Sequence, residues 1–136
     1  LNSNKSNDLK SNPKGSMCFH WKSLLRQIRI TGKISKVSEK EADNYYNSRD
    51  YGSKISAWAS QQSSVLINVH ELHKSIKAFE EKYSDKKKVP RPNDWSGWRL
   101  NPSEIEFWLN GKNRTHQRLL YKKKENEKWN KFLLYP

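Results

Sequence analysis

Cysteine is almost absent: Cys18 is the only one in 136 residues, so no intrachain disulfide can form and a reducing compartment is the simpler expectation. No apolar run approaches the roughly 18 residues that a membrane-spanning helix needs, and no signal-peptide core is visible. The expectation is a soluble, cytoplasmic protein without a membrane partner. A glycine-rich phosphate loop is also missing, which argues against a dinucleotide fold of the Rossmann type. Acidic residues are scarce beside basic ones, 14 against 27, giving a net charge of +13. Charge of that size would by itself admit nucleic acid as a partner. The cations are mostly lysines scattered among Asn and Ser, however, with short runs only at 86–88 and 122–124. A solvated surface accounts for them equally well, as does a small phosphorylated ligand, and no nucleic-acid partner is assigned.

What the chain does have is aromatic surface. Hydrophobic content is only 33%, but six Trp, six Tyr and four Phe can fill much of a core, because each ring removes a large apolar area from water. The length fits one domain, 1–136.

The first sixteen residues are polar and read as a short helix or loop leading into a strand. Residues 17–21 and 27–37 alternate apolar and polar: Ile28, Ile30 and Ile34 share one face, and Gln27, Arg29, Thr31 and Lys33 the other. Ser38 followed by Glu41 is a capping-box pattern, predicting a helix through Tyr45 and Tyr46 to about Arg49, with Gly52 breaking it. A short helical segment follows over 53–60. Leu72, Ile76, Phe79 and Tyr83 recur at helical steps and predict an amphipathic helix. Pro90 and Pro92 mark 86–94 as a loop. Strands are predicted over 98–100, 105–109, 114–123 and 128–134, with turns at Asn110-Gly111 and 125–127. Strands, helices and strands again in one unit predict an α+β domain with an antiparallel sheet or barrel.

Several groups of residues are chemically suggestive. Arg114, His116 and Arg118 are spaced by two, so on a strand they share a face that attracts anions; an exposed polar strand face is the bland alternative. Tyr45 and Arg49 are helical neighbours with Ser53 just beyond, a set able to hold a phosphate monoester or, equally, to be a packed ring and a solvated helix end. Gln62, Ser63 and Ser64 suit a flavin, a phosphate or an ordinary turn. Trp108 can stack on a ligand ring or fill the core. His70 and His73 share a helix face, but one residue short of the zinc-protease spacing and without a third ligand, so no metal is assigned.

Ile105-Glu106-Phe107-Trp108, followed after five residues by Arg114-Thr115-His116-Gln117-Arg118, resembles the signature of the pyridoxamine 5′-phosphate oxidase family. Pro90-Arg91-Pro92 with Trp95, Gly97 and Arg99 resembles the loop before it. Arg26-Gln27, Tyr45 with Ser48-Arg49, and the stretch from Ser53 through Ala57-Trp58-Ala59 to Ser63 resemble further family blocks in order. The resemblance implies an FMN-binding split β-barrel with flanking helices, working as a homodimer with flavin at the interface. It implies oxidation of pyridoxamine or pyridoxine 5′-phosphate to pyridoxal 5′-phosphate, with oxygen as acceptor. Tyr45, Arg49 and Ser53 would grip the substrate phosphate, and Arg114 and His116 would position its ring as the catalytic pair. Lys5, Gln27, Gln62, Ser63, Trp108 and Arg118 would contact FMN.

Leu109, Thr115, Gln117 and Asn4 depart from the family pattern, and an N-terminal part of the family, with barrel strands and FMN-phosphate cations, has no counterpart here. The corresponding expectation is a partial barrel whose isolated chain binds flavin weakly and turns over little. The rival is a non-catalytic relative that binds flavin or pyridoxal phosphate, or a dimerisation module.

Overall fold

The computed structural model describes residues 1–86 and 88–136; Lys87, in the middle of the first lysine run, lies outside the described residues. The elements are α1 (Asn4–Ser11), β1 (Lys14–Trp21), β2 (Arg26–Lys36), α2 (Glu39–Ser48), α3 (Tyr51–Ala59), α4 (Val69–Lys82), β3 (Trp98–Leu109), β4 (Gln117–Lys123) and β5 (Trp129–Leu134). The chain divides into two compact units. One comprises Leu1–Ser11 and Lys36–Trp98, the other Asn12–Ser35 and Arg99–Pro136. No described helix is long and apolar enough to cross a membrane.

The helical unit is organised by its caps. Ser38 accepts from the Glu41 backbone while Glu41 reaches back to the Ser38 N–H, so the predicted capping box starts α2. The break after α2 is not at Gly52. Arg49 and Asp50 are extended, and Asp50 caps α3 by accepting from the Ser53 N–H, which leaves Gly52 inside the first turn of α3, where its entropic cost is small. Ala42 and Tyr46 of α2 and Ile55 of α3 are buried, and the Tyr46 hydroxyl donates to the Lys54 carbonyl at 3.2 Å. Burial raises the Tyr46 pKa above its ordinary value. The helical periodicity of α4 places Phe79 and Tyr83 against Trp58, whose indole N–H donates to the Pro90 carbonyl at 2.8 Å. Arg91 ties the following loop to α2 through Glu39 and Asp43.

The other unit is a five-stranded sheet in the order β1-β2-β3-β4-β5. β1 pairs antiparallel with β2, β3 with β4, and β4 with β5. β3 is one continuous strand where the sequence predicted two. Pro102 lies within it, before the stretch that pairs with β4, which begins at Glu104, so its missing N–H costs no bond to β4. Gly32 of β2 sits against β3 so closely that an added Cβ would be 2.0 Å from the Asn101 carbonyl oxygen. The register Met17↔Ile30, Phe19↔Ile28 and Trp21↔Arg26, with Phe107↔Leu119↔Leu133, gathers apolar side chains on one sheet face.

β4 begins at Gln117, not Arg114. Residues Lys112–Arg114 form a short 3-10 turn in which Asn113 and Arg114 both have positive φ, 52° and 65°. Arg114 and His116 therefore do not share a strand face with Arg118, and the two-residue spacing that predicted it does not carry through a left-handed turn.

Candidate functional site

In the sheet unit, strand alternation separates two faces of different chemistry. A cavity of about 570 Å³ is bordered by Trp21, Leu24, Ile28, Phe107, Leu119 and Leu133 among others. Gln27, Trp108 and Arg118 also border it, but alternation turns their side chains to the opposite face from Ile28, Phe107 and Leu119. The cavity is an apolar sheet surface, and the polar chemistry is on the other side.

That other face is built around Glu106. Its residue is only 5% exposed, a position no carboxylate occupies without partners. Arg118 donates from Nε to Oε1 at 2.7 Å, and Arg29 donates from Nη2 to Oε2 at 2.5 Å. The Arg118 hydrogen bond leads the effects that hold the Glu106 pKa below its ordinary value, outweighing the opposing effect of burial. Arg118 also donates from Nη1 to the Tyr135 carbonyl at 3.0 Å. Trp108 is directly across the ladder from Arg118, and the His116 ring lies 4.7 Å from the Trp108 ring, tilted by 42°.

His116 is positioned by the turn that the sequence misread. The Gly111 N–H donates to His116 Nδ1 at 3.2 Å, and the His116 N–H donates to the Arg114 carbonyl at 2.9 Å. With Nδ1 accepting, the neutral imidazole carries its proton on Nε2. The left-handed Arg114 costs on the order of 1 kcal/mol and is held by these bonds together with Thr115 Oγ1 donating to the Lys112 carbonyl at 2.6 Å. A Cβ on Gly111 would lie 1.9 Å from the Thr115 carbonyl oxygen. Gly111→Ala is expected to open the turn and release His116 Nδ1, so nitrogen NMR of the ring should change from one tautomer to a mixture. A variant that keeps the single Nε2–H form would contradict this.

In the helical unit, Trp95 is a plate for two of the predicted phosphate ligands. Tyr45 stacks on it with ring centroids 6.0 Å apart, and the Arg49 guanidinium carbon lies 5.3 Å from its ring centre. Tyr45 itself is largely exposed, at 67%. The third, Ser53, is already engaged: its hydroxyl donates to Asp50 at 2.7 Å, the bond that chiefly lowers the Asp50 pKa. An incoming phosphate would have to draw that hydroxyl away from Asp50. Of the predicted flavin residues in this unit, Ser63 accepts from the Asn4 N–H at 3.3 Å, one residue before Lys5, so the start of α1 and the segment after α3 meet there. Lys5, Gln62 and Ser63 are all exposed.

Glu106, Gly111, Trp95 and Asp50 were not identified as functional from the sequence. For Glu106 the signal was present: a carboxylate in an otherwise apolar strand demands a buried cation.

Two family profiles together match the whole chain. One, described as pyridoxamine 5′-phosphate oxidase, matches residues 1–109, and the other, described as the pyridoxine 5′-phosphate oxidase C-terminal dimerisation region, matches 95–136. The chain belongs to the pyridoxamine 5′-phosphate oxidase family. It is 60% identical over all 136 residues to the pyridoxine/pyridoxamine 5′-phosphate oxidase of Pelagibacter ubique. It is 44% identical over 135 residues to the protein of that name from Allorhizobium ampelinum. It spans 65% of the length of each of these relatives. Among solved structures, PhzG from Burkholderia lata in complex with tetrahydrophenazine-1-carboxylic acid superposes with a TM-score of 0.88 at 29% identity, covering 98% of this chain and 64% of that one. A pyridoxamine 5′-phosphate oxidase-related, FMN-binding protein from Nostoc punctiforme gives 0.73 at 13% identity, covering 98% and 69%, and speaks for the fold alone. The family's fold is the α+β split barrel expected from the sequence.

Proposed function

We propose that the protein containing this chain is an FMN-dependent oxidase that converts pyridoxamine or pyridoxine 5′-phosphate to pyridoxal 5′-phosphate, with oxygen as acceptor, as a cytoplasmic homodimer. The observation that carries this reading is the His116 imidazole, held in one tautomer against Trp108, with Arg118 fixed across the ladder. Taken separately, each unit carries donors that suit a flavin. Gln27 and Arg118 offer N–H groups to ring acceptors, Trp108 offers an aromatic face, and Lys5 with Gln62 and Ser63 offers a cation and polar groups suited to a phosphate. When bound, FMN supplies a hydride acceptor, and the protein's part is orientation and electrostatics.

The candidate substrate residues then have defined tasks. Tyr45, Arg49 and Ser53 hold the substrate phosphate, with Trp95 keeping the Arg49 guanidinium and the Tyr45 ring in place. Arg114 presents a guanidinium to the polar edge of the pyridine ring, and its left-handed backbone is part of that aim. His116 holds a proton at Nε2 for an acceptor on the substrate.

Arg49→Ala tests the reading in the full-length protein. Loss of one charged phosphate contact is expected to raise KM for pyridoxamine 5′-phosphate by about tenfold or more, with a smaller change in kcat. Pyridoxamine without the phosphate should be handled as before. If both compounds lose equally, Arg49 does not read the phosphate.

A further inference from the structure

Glu106 is the one buried carboxylate in the described core, and none of the tasks above uses it. It lies two residues before Trp108 on β3, hence on the same face, and diagonal to Arg118 across the ladder. Its two oxygens are divided between two arginines: Oε1 takes Arg118 Nε and Oε2 takes Arg29 Nη2. The arms are unequal. The Arg29 side chain is 53% exposed while that of Arg118 is 27% exposed, so water competes more with the first.

An arginine held at Nε by a carboxylate and at Nη1 by a backbone carbonyl has lost most of its rotamer freedom. Its other N–H groups have no protein partner among the described residues. They are the donors left for a ligand on the face that also carries Gln27 and Trp108.

We propose that Glu106 is a positioning residue of the flavin site: it fixes the Arg118 guanidinium before the ligand arrives, so that binding spends little entropy in ordering it. The second arginine has a separate effect. With Arg29 and Arg118 around one carboxylate, the cluster keeps a net positive charge, so anchoring Arg118 does not cancel its attraction for an electron-rich ring edge. The inference rests on the flavin reading given above.

Two measurements on the full-length protein test it. The first uses the wild type without flavin, by nitrogen NMR of arginine Nε–H groups. The Arg118 signal should be resolved and slow to exchange with water before FMN is added. An Arg118 Nε–H exchanging as fast as those of exposed arginines would show that nothing fixes it and would overturn the proposal.

The second is FMN titration, followed by quenching of flavin fluorescence. Glu106→Gln, which keeps the shape and removes the charge, should weaken FMN about tenfold or more, the size of a lost charged hydrogen bond. Glu106→Asp should restore part of the affinity, and Glu104→Gln, on the same strand with an exposed partner in Lys122, should leave it unchanged. A folded Glu106→Gln protein with wild-type FMN affinity would refute the positioning role. Failure of the wild type itself to bind FMN would remove the flavin reading and with it this role, an outcome the Arg118 exchange measurement keeps distinct from a failure of the anchor.

Discussion

Replacing Glu106 by alanine is expected to lower the unfolding free energy by about 1.5–3 kcal/mol, the range for losing hydrogen bonds to a charged group. The loss comes mainly from Arg118, which would keep its charge in a partly covered site without its carboxylate. Arg29, more exposed, can turn to water and contributes less. The effect has a pH signature. Because the folded-state pKa of Glu106 is lowered, chiefly by the Arg118 hydrogen bond, its ionised form stabilises the fold at pH values above the unfolded-state pKa of about 4.3. That stability is lost as pH falls through the lower folded-state value. Denaturant unfolding of wild type and Glu106→Gln should therefore differ fully at neutral pH and converge in acid below about pH 4. A constant gap across that range would mean that the charge of Glu106 is not what stabilises the sheet.

Gly32→Ala is expected to be comparably severe, at about 3 kcal/mol, the upper part of the usual range for overpacking. The added methyl would stand 2.0 Å from the Asn101 carbonyl oxygen and 2.9 Å from the Pro102 Cα. Both obstacles are backbone, so no side chain can swing aside. Relief requires β2 and β3 to separate locally, where Ser103 also donates to the Thr31 carbonyl at 3.2 Å. Thermal unfolding of the variant checks this: a melting temperature equal to that of the wild type would show that the strands are less tightly apposed than described.

Much of the fold was legible because local signals and tertiary packing agree. Ser38 and Glu41 announced α2, and the spacing of Leu72, Ile76, Phe79 and Tyr83 announced α4, since each pattern has one physical interpretation. Alternation similarly exposed β1 and β2. The failures have physical causes. Residues 101–104 carry no alternating apolar pattern of their own and join 98–100 to 105–109 as one strand through pairing that is not written in one strand's sequence. Gly52 looked like a helix stop, but Asp50 offered a stronger start signal two residues earlier.

For the candidate site the sequence proposes residues but not their geometry. Arg114 and His116 were placed on a strand by spacing, whereas Asn113 and Arg114 take left-handed conformations that no glycine advertises. The consequence is chemical. His116 gains its orientation from the Gly111 amide rather than from a strand face. Trp95, distant in sequence from Tyr45 and Arg49, becomes their common support only once the loop after α4 folds back on α2.

The central claim is that this chain contributes the substrate and flavin contacts of an oxidase, and the most direct test is anaerobic. The full-length protein, loaded with FMN, is mixed with pyridoxamine 5′-phosphate in the absence of oxygen while the flavin absorbance is followed. The account predicts that the oxidised flavin band bleaches, pyridoxal 5′-phosphate appears in equal amount, and admitting oxygen restores the band. Flavin that binds but stays oxidised with the substrate present would contradict the account.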